Sequence, residues 1–296
     1  MNNNISILGI KVDLGIYKRG ANNGPDAIRK AGLIRGLECK GYNVYDEGDW
    51  DSDVELVDHL NDFNNVSLDI RIVTKEFERL ANKVKNFCTT DKFSLIIGGD
   101  HSISIATIAG ISLNYNNLGI IWFDAHADLN TPDTSLSGNI YGMPLAVNLG
   151  YGYPRFLEVG YSGPKVKHKN IVLVGTRELD PGEIKFIDNH DIKVFSMKEI
   201  NRKGIENVMI DVLDYLGKNC DGIHLSFDMD VLDPNYVPGV RTPCADGVSL
   251  SDGIIAMKTI RESKLLSSAE FVEVNPKLDV NQQTARNVVK LVENLL

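Results

Sequence analysis

Short apolar segments of strand length recur along the whole chain, and most of them are continuous rather than alternating with polar residues. A continuous apolar run is typical of a strand that is buried on both faces, as in a parallel sheet covered by helices. The sequence predicts strands at 5–12, 94–97, 118–123, 171–174, 192–195, 223–227 and 270–274, with a weaker one at 42–45. These segments favour a fold built around a central sheet.

Helical patterns separate the predicted strands. In the segment 68–87, apolar residues between Ile72 and Phe87 recur near a 3.6-residue period. Similar patterns cover 25–39, 206–216, 252–262 and 282–295. This alternation predicts a mostly parallel sheet with helices on both faces. No repeat or linker interrupts it, so we expect one domain over residues 1–296, with the acidic segment 46–69 as a surface excursion.

The composition argues against nucleic acid and membranes as partners. The 296-residue chain has a formal net charge of −9, whereas binding a phosphate backbone needs a basic face. No apolar run approaches the ~20 residues of a transmembrane helix, and the first residues do not resemble a signal peptide. The four scattered cysteines form no Cys-x-x-Cys pair, which favours free thiols. We therefore expect a cytoplasmic protein.

Polar residues gather where the predicted strands end, which is where parallel sheets bind ligands. The strand at 94–97 runs into GGDHS at 98–102, where two glycines let the backbone turn and leave His101 at the lip. Such a histidine on its own is more often structural. Its importance therefore depends on the segments that follow the other strands.

The strand at 118–123 runs into DAHAD at 124–128. In extended backbone, alternate side chains point the same way, so Asp124, His126 and Asp128 can converge on one small volume. Gathered without a cation, these groups would repel one another or stay badly desolvated. We therefore prefer a metal site to a solvated acidic turn.

The strand at 223–227 runs into Asp228 and Asp230, again two residues apart. The three segments together offer two imidazoles and four carboxylates without a thiolate, which suits Mn²⁺ and also Fe²⁺, Co²⁺ or Ni²⁺. Six ligands are too many for one ion that must also bind water, and they suit two ions roughly 3.5–4 Å apart with bridging carboxylates. The four aspartates also balance the charge of two divalent cations.

As a set, the segments 98–102, 124–128 and 226–230 resemble the three signatures of the arginase (ureohydrolase) family. The resemblance runs nearly end to end, from Gly20 to the EVNP segment at 273–276. It implies a three-layer α/β/α fold with a mainly parallel eight-stranded sheet and two Mn²⁺ ions. It further implies that one metal binds His101, Asp124, Asp128 and Asp228, and the other Asp124, His126, Asp228 and Asp230.

The resemblance also implies a reaction, in which hydroxide held between the metals hydrolyses the guanidino group of L-arginine to give L-ornithine and urea. Glu273 matches the glutamate that orients the guanidinium, and Asp128 matches the carrier of a proton to the departing amine. The loop at 130–139 resembles the loop that binds the amino-acid carboxylate, and 180–183 resembles the segment that meets the α-amino group. The implied substrate contacts are Asn130, Ser135, Ser137, Asn139, Asp180, Glu183 and Thr242.

Two positions depart from the family's pattern. Tyr141 stands where arginases usually carry a proton-shuttling histidine that contacts the substrate, and a tyrosine with a pKa near ~10 is a poor shuttle at neutral pH. It can still donate a hydrogen bond in the catalytic site. Arg241 stands where arginases tend to have glycine before Thr-Pro. These departures bear on efficiency, pH optimum and substrate, and leave the metal ligands intact.

Other functions fit the same residues. Agmatinases and guanidinobutyrases share the metal signatures, although Asp180, Glu183 and the 130–139 loop favour an amino-acid substrate. A metal-dependent binding or regulatory homologue, in which Tyr141 marks weakened catalysis, is a second alternative. A shared fold alone, as in deacetylases, is disfavoured because those enzymes typically use one zinc ion. By resemblance, we expect a homo-oligomer, either a trimer or a hexamer.

Overall fold

In the computed structural model, which describes residues 3–13, 20–52, 70–89 and 91–296, eight strands form one sheet. They are β1 (Asn4–Lys11), β2 (Asn43–Asp51), β3 (Phe93–Ile97), β4 (Leu118–Phe123), β5 (Ile171–Val174), β6 (Lys193–Phe195), β7 (Gly222–Asp228) and β8 (Leu266–Val272). Their order is β2-β1-β3-β8-β7-β4-β5-β6, and each neighbouring pair is parallel. The predicted eight-stranded, mainly parallel sheet is therefore confirmed.

Helices cover both faces of this sheet. They are α1 (Gly24–Lys30), α2 (Leu33–Cys39), α3 (Ile70–Phe87), α4 (Ser104–Ser112), α5 (Pro144–Asn148), α6 (Pro181–Asn189), α7 (Met197–Lys203), α8 (Ile205–Gly217), α9 (Leu250–Ser263) and α10 (Gln283–Leu295). Successive side chains of a strand point to opposite faces, so Ile7 of β1 joins one apolar core and Leu8 joins the other. Helices α3 to α6 pack on the Leu8 side and the remaining helices on the Ile7 side, which confirms the three-layer arrangement.

Several predicted elements were wrong in extent. The strand predicted at 270–274 corresponds to β8, which begins at Leu266 and ends at Val272. The single helix predicted at 25–39 is broken into α1 and α2, because Gly32 has a left-handed φ of 104° that a continuing helix cannot accept. The acidic excursion predicted at 46–69 begins inside β2, which includes residues 46–51. The rest of it from residue 53 onward, together with the start of the helix predicted at 68–87, lies outside the described residues.

The strand order decides where the functional site forms. Strands β3, β8, β7 and β4 lie side by side and run in one direction, so the loops that follow them emerge at the same edge of the sheet.

The four cysteines are free thiols. Among the described helices, none has both the length and the apolar character to cross a bilayer.

Candidate active site

His101, just after β3, faces three aspartates from the neighbouring strand ends. Its Nδ1 atom lies 3.0 Å from Asp124 Oδ2, 3.2 Å from Asp128 Oδ2 and 3.1 Å from Asp228 Oδ2. Its other ring nitrogen, Nε2, is 2.9 Å from Ser226 Oγ, which fixes the plane of the imidazole. One nitrogen and three oxygens therefore meet at one buried point.

A second group of the same kind forms around His126. Its Nδ1 atom lies 3.4 Å from Asp124 Oδ1 and 3.2 Å from Asp230 Oδ2. Asp124 thus turns one oxygen toward each histidine and belongs to both groups of potential metal ligands. The structure brings together all six residues that the sequence predicts as ligands.

Local turns, rather than extended backbone, aim these side chains. Asp124 Oδ1 accepts a hydrogen bond from the backbone N–H of His126 at 2.8 Å, and Asp228 Oδ1 accepts one from the N–H of Asp230 at 2.8 Å. Each is a turn in which an aspartate binds the backbone two residues on. Asp128 has a left-handed φ of 51°, so segment 124–128 does not alternate as a strand would. The residues converge, but for a different reason from the one expected.

The donor set fits divalent cations. Burial raises the pKa of Asp228 well above its usual range, and the nearby Asp230 and Asp124 carboxylates raise it further. Burial and the Asp124 carboxylate also raise the pKa of Asp128, to about 6. Such crowding of buried acids is unfavourable without compensating positive charge. Imidazole and carboxylate ligands without thiolate are those that Mn²⁺ and related cations accept.

Glu273 stands beside this cluster, directly after β8. Its backbone N–H donates to Gly99 O at 2.9 Å, and its Oε1 atom accepts a hydrogen bond from the N–H of His101 at 2.9 Å. Its Oε2 atom is buried and has no hydrogen bond to any residue that the structure describes. Burial raises the pKa of Glu273 to about 8, although the nearby Arg241 guanidinium works in the opposite direction.

A cavity of about 340 Å³ opens over the cluster. It is lined by most of the predicted site residues, namely His101, His126, Asp128, Asn130, Ser135, Ser137, Tyr141, Asp180, Glu183, Asp228, Asp230, Thr242 and Glu273. Asp124 lies beneath the cavity floor, buried at 1% exposure. The cavity also takes in Glu178 and Leu179, which no motif in the sequence marked.

The predicted head-group residues are linked to one another. Asn130 Nδ2 donates to Asp180 Oδ2 at 2.9 Å. Glu183 Oε1 accepts from the N–H of Leu129 at 3.0 Å, and Glu183 Oε2 accepts from the N–H of Asp180 at 2.9 Å. Because backbone donors occupy both oxygens, Glu183 positions Asp180 at the start of α6 and ties it to the loop after Asp128.

The remaining predicted substrate contacts form hydrogen bonds of different kinds with the protein. Ser135 and Ser137 accept hydrogen bonds from the N–H groups of residues 138 and 139, so each keeps its own hydroxyl proton to donate. Thr242 donates to Asp230 Oδ2 at 2.8 Å. Asn139 lies outside the cavity lining and donates from Nδ2 to the Tyr141 hydroxyl at 2.9 Å. Asn139 therefore supports Tyr141 from behind.

Arg241 has no role predicted from the sequence, yet its side chain lies against the site. Its Nη2 atom is 2.8 Å from Asp13 Oδ1, and its guanidinium carbon is 4.8 Å from the centre of the Tyr141 ring. Asp13 is 228 residues away in the chain and belongs to no predicted motif. Only the fold brings these side chains together, although Arg241 itself stands out in the sequence because it departs from the family's pattern.

Comparisons with known proteins agree with this geometry. The family model described as the arginase family matches residues 3–296. The arginase of Bacillus subtilis (strain 168) is 46% identical over 296 residues, which cover 100% of this chain and 98% of that protein.

Solved structures give the same result. The native structure of Bacillus caldovelox arginase at pH 5.6 has a TM-score of 0.92 at 43% identity, covering 98% of this chain and 97% of that one. Entamoeba histolytica arginase in complex with L-ornithine has a TM-score of 0.88 at 30% identity, covering 99% and 98%. Since sequence and fold both match over nearly the full length, the chain belongs to the arginase family.

Proposed function

We propose that this chain hydrolyses the guanidino group of L-arginine to give L-ornithine and urea. One observation carries the proposal: a single cavity is lined both by the imidazole–carboxylate cluster with Glu273 and by Asp180, Asn130 and two serines. The first set suits a guanidinium and an attacking water molecule, and the second suits an amino-acid head group. The relatives compared above are arginases, which supports the same reaction.

The proposed cofactor is a pair of Mn²⁺ ions. One would be held by His101, Asp124, Asp128 and Asp228, and the other by Asp124, His126, Asp228 and Asp230. When bound, the two cations supply Lewis acidity, which lowers the pKa of a water molecule toward neutrality. The two oxygens of Asp124, each turned toward a different histidine, support its role as a bridging ligand.

Glu273 and Asp128 perform the steps that the protein itself supplies. The free Oε2 atom of Glu273 accepts hydrogen bonds from the planar guanidinium and holds its carbon over the cluster. The water oxygen forms a bond to that carbon, and the bond from the carbon to the side-chain nitrogen breaks. Asp128, which lines the cavity, carries one water proton to the departing nitrogen. The second water proton reaches the same nitrogen, so that it leaves as the ammonium group of ornithine and the carbon and oxygen remain in urea.

The far part of the substrate is recognised by charge and hydrogen bonding. Asp180, at the start of α6, accepts from the α-ammonium group. Asn130, Ser135 and Ser137 contact the α-carboxylate, the serines through hydroxyl protons that their backbone bonds leave free. This arrangement favours arginine over agmatine, which has no carboxylate, and over 4-guanidinobutyrate, which has no α-amino group.

The domain organisation, cellular location and oligomeric state of the protein are also proposals. We expect one catalytic domain, a cytoplasmic location and a homo-oligomer, a trimer or a hexamer. The free cysteines agree with a reducing compartment. Size-exclusion chromatography with light scattering decides the oligomeric state.

The test is urea release from metal-stripped protein reloaded with Mn²⁺, Fe²⁺, Co²⁺ or Ni²⁺. L-Arginine should give the highest kcat/KM, with Mn²⁺ the most effective ion. Asp180→Asn is the matched variant: it should lower kcat/KM for arginine and leave the value for 4-guanidinobutyrate nearly unchanged. A preference for agmatine would identify an agmatinase. Metal binding without urea from any of these compounds would identify a binding or regulatory homologue.

A further inference from the structure

We propose that Arg241 is a positioning residue, which orients Glu273 and Tyr141 together for binding and turnover of the guanidino group. The inference rests on the function proposed above and deepens it. Arg241 is buried in the fold, with only 5% of its side chain exposed. A buried guanidinium stays charged and offers five N–H donors in one rigid plane.

One edge of this guanidinium is anchored away from the cavity. Nη2 lies 2.8 Å from Asp13 Oδ1 and 3.8 Å from Asp100 Oδ2. Asp13 is held in turn, because its Oδ2 atom accepts from the backbone N–H groups of residues 20 and 21. The plane of the guanidinium is therefore set by the protein behind the site.

The other atoms of Arg241 face the site. Its Nε atom lies 3.8 Å from Glu273 Oε2, and its guanidinium carbon lies over the Tyr141 ring, 4.8 Å from the ring centroid. Nε and Nη1 are buried and have no hydrogen bond within the described part of the chain, and the same holds for Glu273 Oε2. Unpaired polar atoms at one buried spot are costly, which indicates that bound groups complete the arrangement: a donor for Glu273 Oε2, and an acceptor such as water for the two Arg241 nitrogens.

The guanidino substrate supplies the donor that Glu273 Oε2 lacks. Its N–H groups satisfy Glu273 Oε2, while the charge of Arg241 keeps the carboxylate turned toward the cavity. Tyr141 is held at both ends, by Arg241 over its ring and by Asn139 at its hydroxyl. The hydroxyl accepts from Asn139, so its own proton and second lone pair remain for the substrate.

A double-mutant cycle tests this role. Arg241→Met keeps the length of the side chain and removes its charge, and Tyr141→Leu removes the ring. If Arg241 acts through Tyr141, Arg241→Met should lower kcat about tenfold in the wild-type background but less than about threefold in the Tyr141→Leu background. It should also raise the KM for arginine through Glu273, and leave the inhibition constant of L-ornithine, which has no guanidinium, nearly unchanged.

Controls separate positioning from damage to the fold. Arg29→Met removes another partly buried arginine, which pairs with Asp46 and Asp49 between α1 and β2, and should leave both kinetic constants unchanged. Arg241→Lys keeps the charge but lacks the planar fork, and should restore kcat only in part.

The outcomes are distinct. Equal effects of Arg241→Met in the two backgrounds, or equal losses for arginine and L-ornithine, would overturn the positioning role. A wild-type protein that releases no urea from any guanidino compound would instead overturn the proposed function, and this inference with it.

Discussion

Two acidic residues of the site have left-handed backbone conformations that residues other than glycine rarely adopt. Asp128 has φ of 51° and Glu273 has φ of 65°. Such conformations are unfavourable for non-glycine residues and persist where surrounding contacts enforce them. Here Asp128 O accepts from the N–H groups of Leu145 and Ala146, and the Glu273 N–H donates to Gly99 O. The strain turns both carboxylates toward the cluster, so we attribute it to function.

Asp128→Asn separates the charge of this residue from its shape. Asparagine tolerates a left-handed φ, so the backbone should be retained. The variant loses the carboxylate that faces His101 Nδ1 at 3.2 Å and, in our mechanism, the proton carrier. We expect kcat with Mn²⁺ to fall roughly a hundredfold or more, while the melting temperature of the metal-stripped protein is not lowered, because the variant removes one of the crowded carboxylates. A kcat near the wild-type value would remove Asp128 from the proton path.

Glu273→Gln tests guanidinium binding in the same way. The amide oxygen of glutamine can still accept from the His101 N–H, but the variant lacks the negative charge that a bound guanidinium stabilises on Glu273. Since a hydrogen bond to a charged group contributes about 1.5–3 kcal/mol, the KM for arginine should rise roughly ten- to a hundredfold. Steady-state kinetics over a wide arginine range measure this. An unchanged KM would show that the guanidinium binds elsewhere in the cavity.

Among the elements, Glu270 of β8 links two neighbours that frame the site. Its Oε1 atom accepts from Ser104 Oγ of α4 at 2.6 Å and from Ser226 Oγ of β7 at 2.7 Å, and its Oε2 atom accepts from Thr107 Oγ1 at 2.7 Å. The same Ser226 hydroxyl contacts His101 Nε2. One fully buried carboxylate therefore connects the sheet, a covering helix and a histidine of the cluster.

This link predicts a loss of stability in acid. Burial favours the neutral form of Glu270, but the His224 imidazole 3.4 Å away and hydrogen bonds from Ser104 and Thr107 outweigh it and lower its pKa from 4.5 to about 2. A carboxyl group whose pKa is lowered by folding stabilises the native state at pH values above its pKa in the unfolded chain. That contribution is lost as pH falls from about 4.5 toward about 2. Glu270→Gln should therefore cost more stability at pH 7 than at pH 2.

The difference should be on the order of 3 kcal/mol, since one pKa unit corresponds to about 1.4 kcal/mol. Urea unfolding of metal-stripped wild type and variant at the two pH values measures it, and metal release then makes no contribution. An equal cost at both pH values would mean that Glu270 is not held as a carboxylate in the native state.

Elements were predictable from the sequence where burial leaves a pattern. The six inner strands of the sheet are buried on both faces and read as apolar runs, whereas the edge strands β2 and β6 are partly exposed. Helices α3 and α10 each have one apolar side. Helix α4 was missed because all nine of its residues are buried, which leaves no polar side and no period. The metal ligands follow strand ends within short motifs, whereas the contact of Arg241 with Asp13 depends on the finished fold.

Across the whole molecule, the site exists only when the sheet is assembled. The histidines and aspartates of the metal cluster follow the ends of β3, β4 and β7. In the sheet, β7 pairs with both β4 and β8, and β8 pairs with β3. In the metal-free state the protein must bury several carboxylates close together, which opposes folding. A cation that binds the native cluster and not the unfolded chain removes this cost and stabilises the fold.

Adding Mn²⁺ to metal-stripped protein should therefore raise its melting temperature, and a chelator should reverse the change. At a free ion concentration a hundred times the Kd, binding at one site contributes about 2.7 kcal/mol, which corresponds to roughly 4–5 °C for a chain of this size. Asp124→Asn weakens the ligand shared by both groups and should lose most of the shift. Asp211→Asn, which removes an exposed partner of Lys203, should keep it. Scanning calorimetry with and without Mn²⁺ tests both, and a wild-type melting temperature that does not respond to the ion would mean that these six side chains do not bind it.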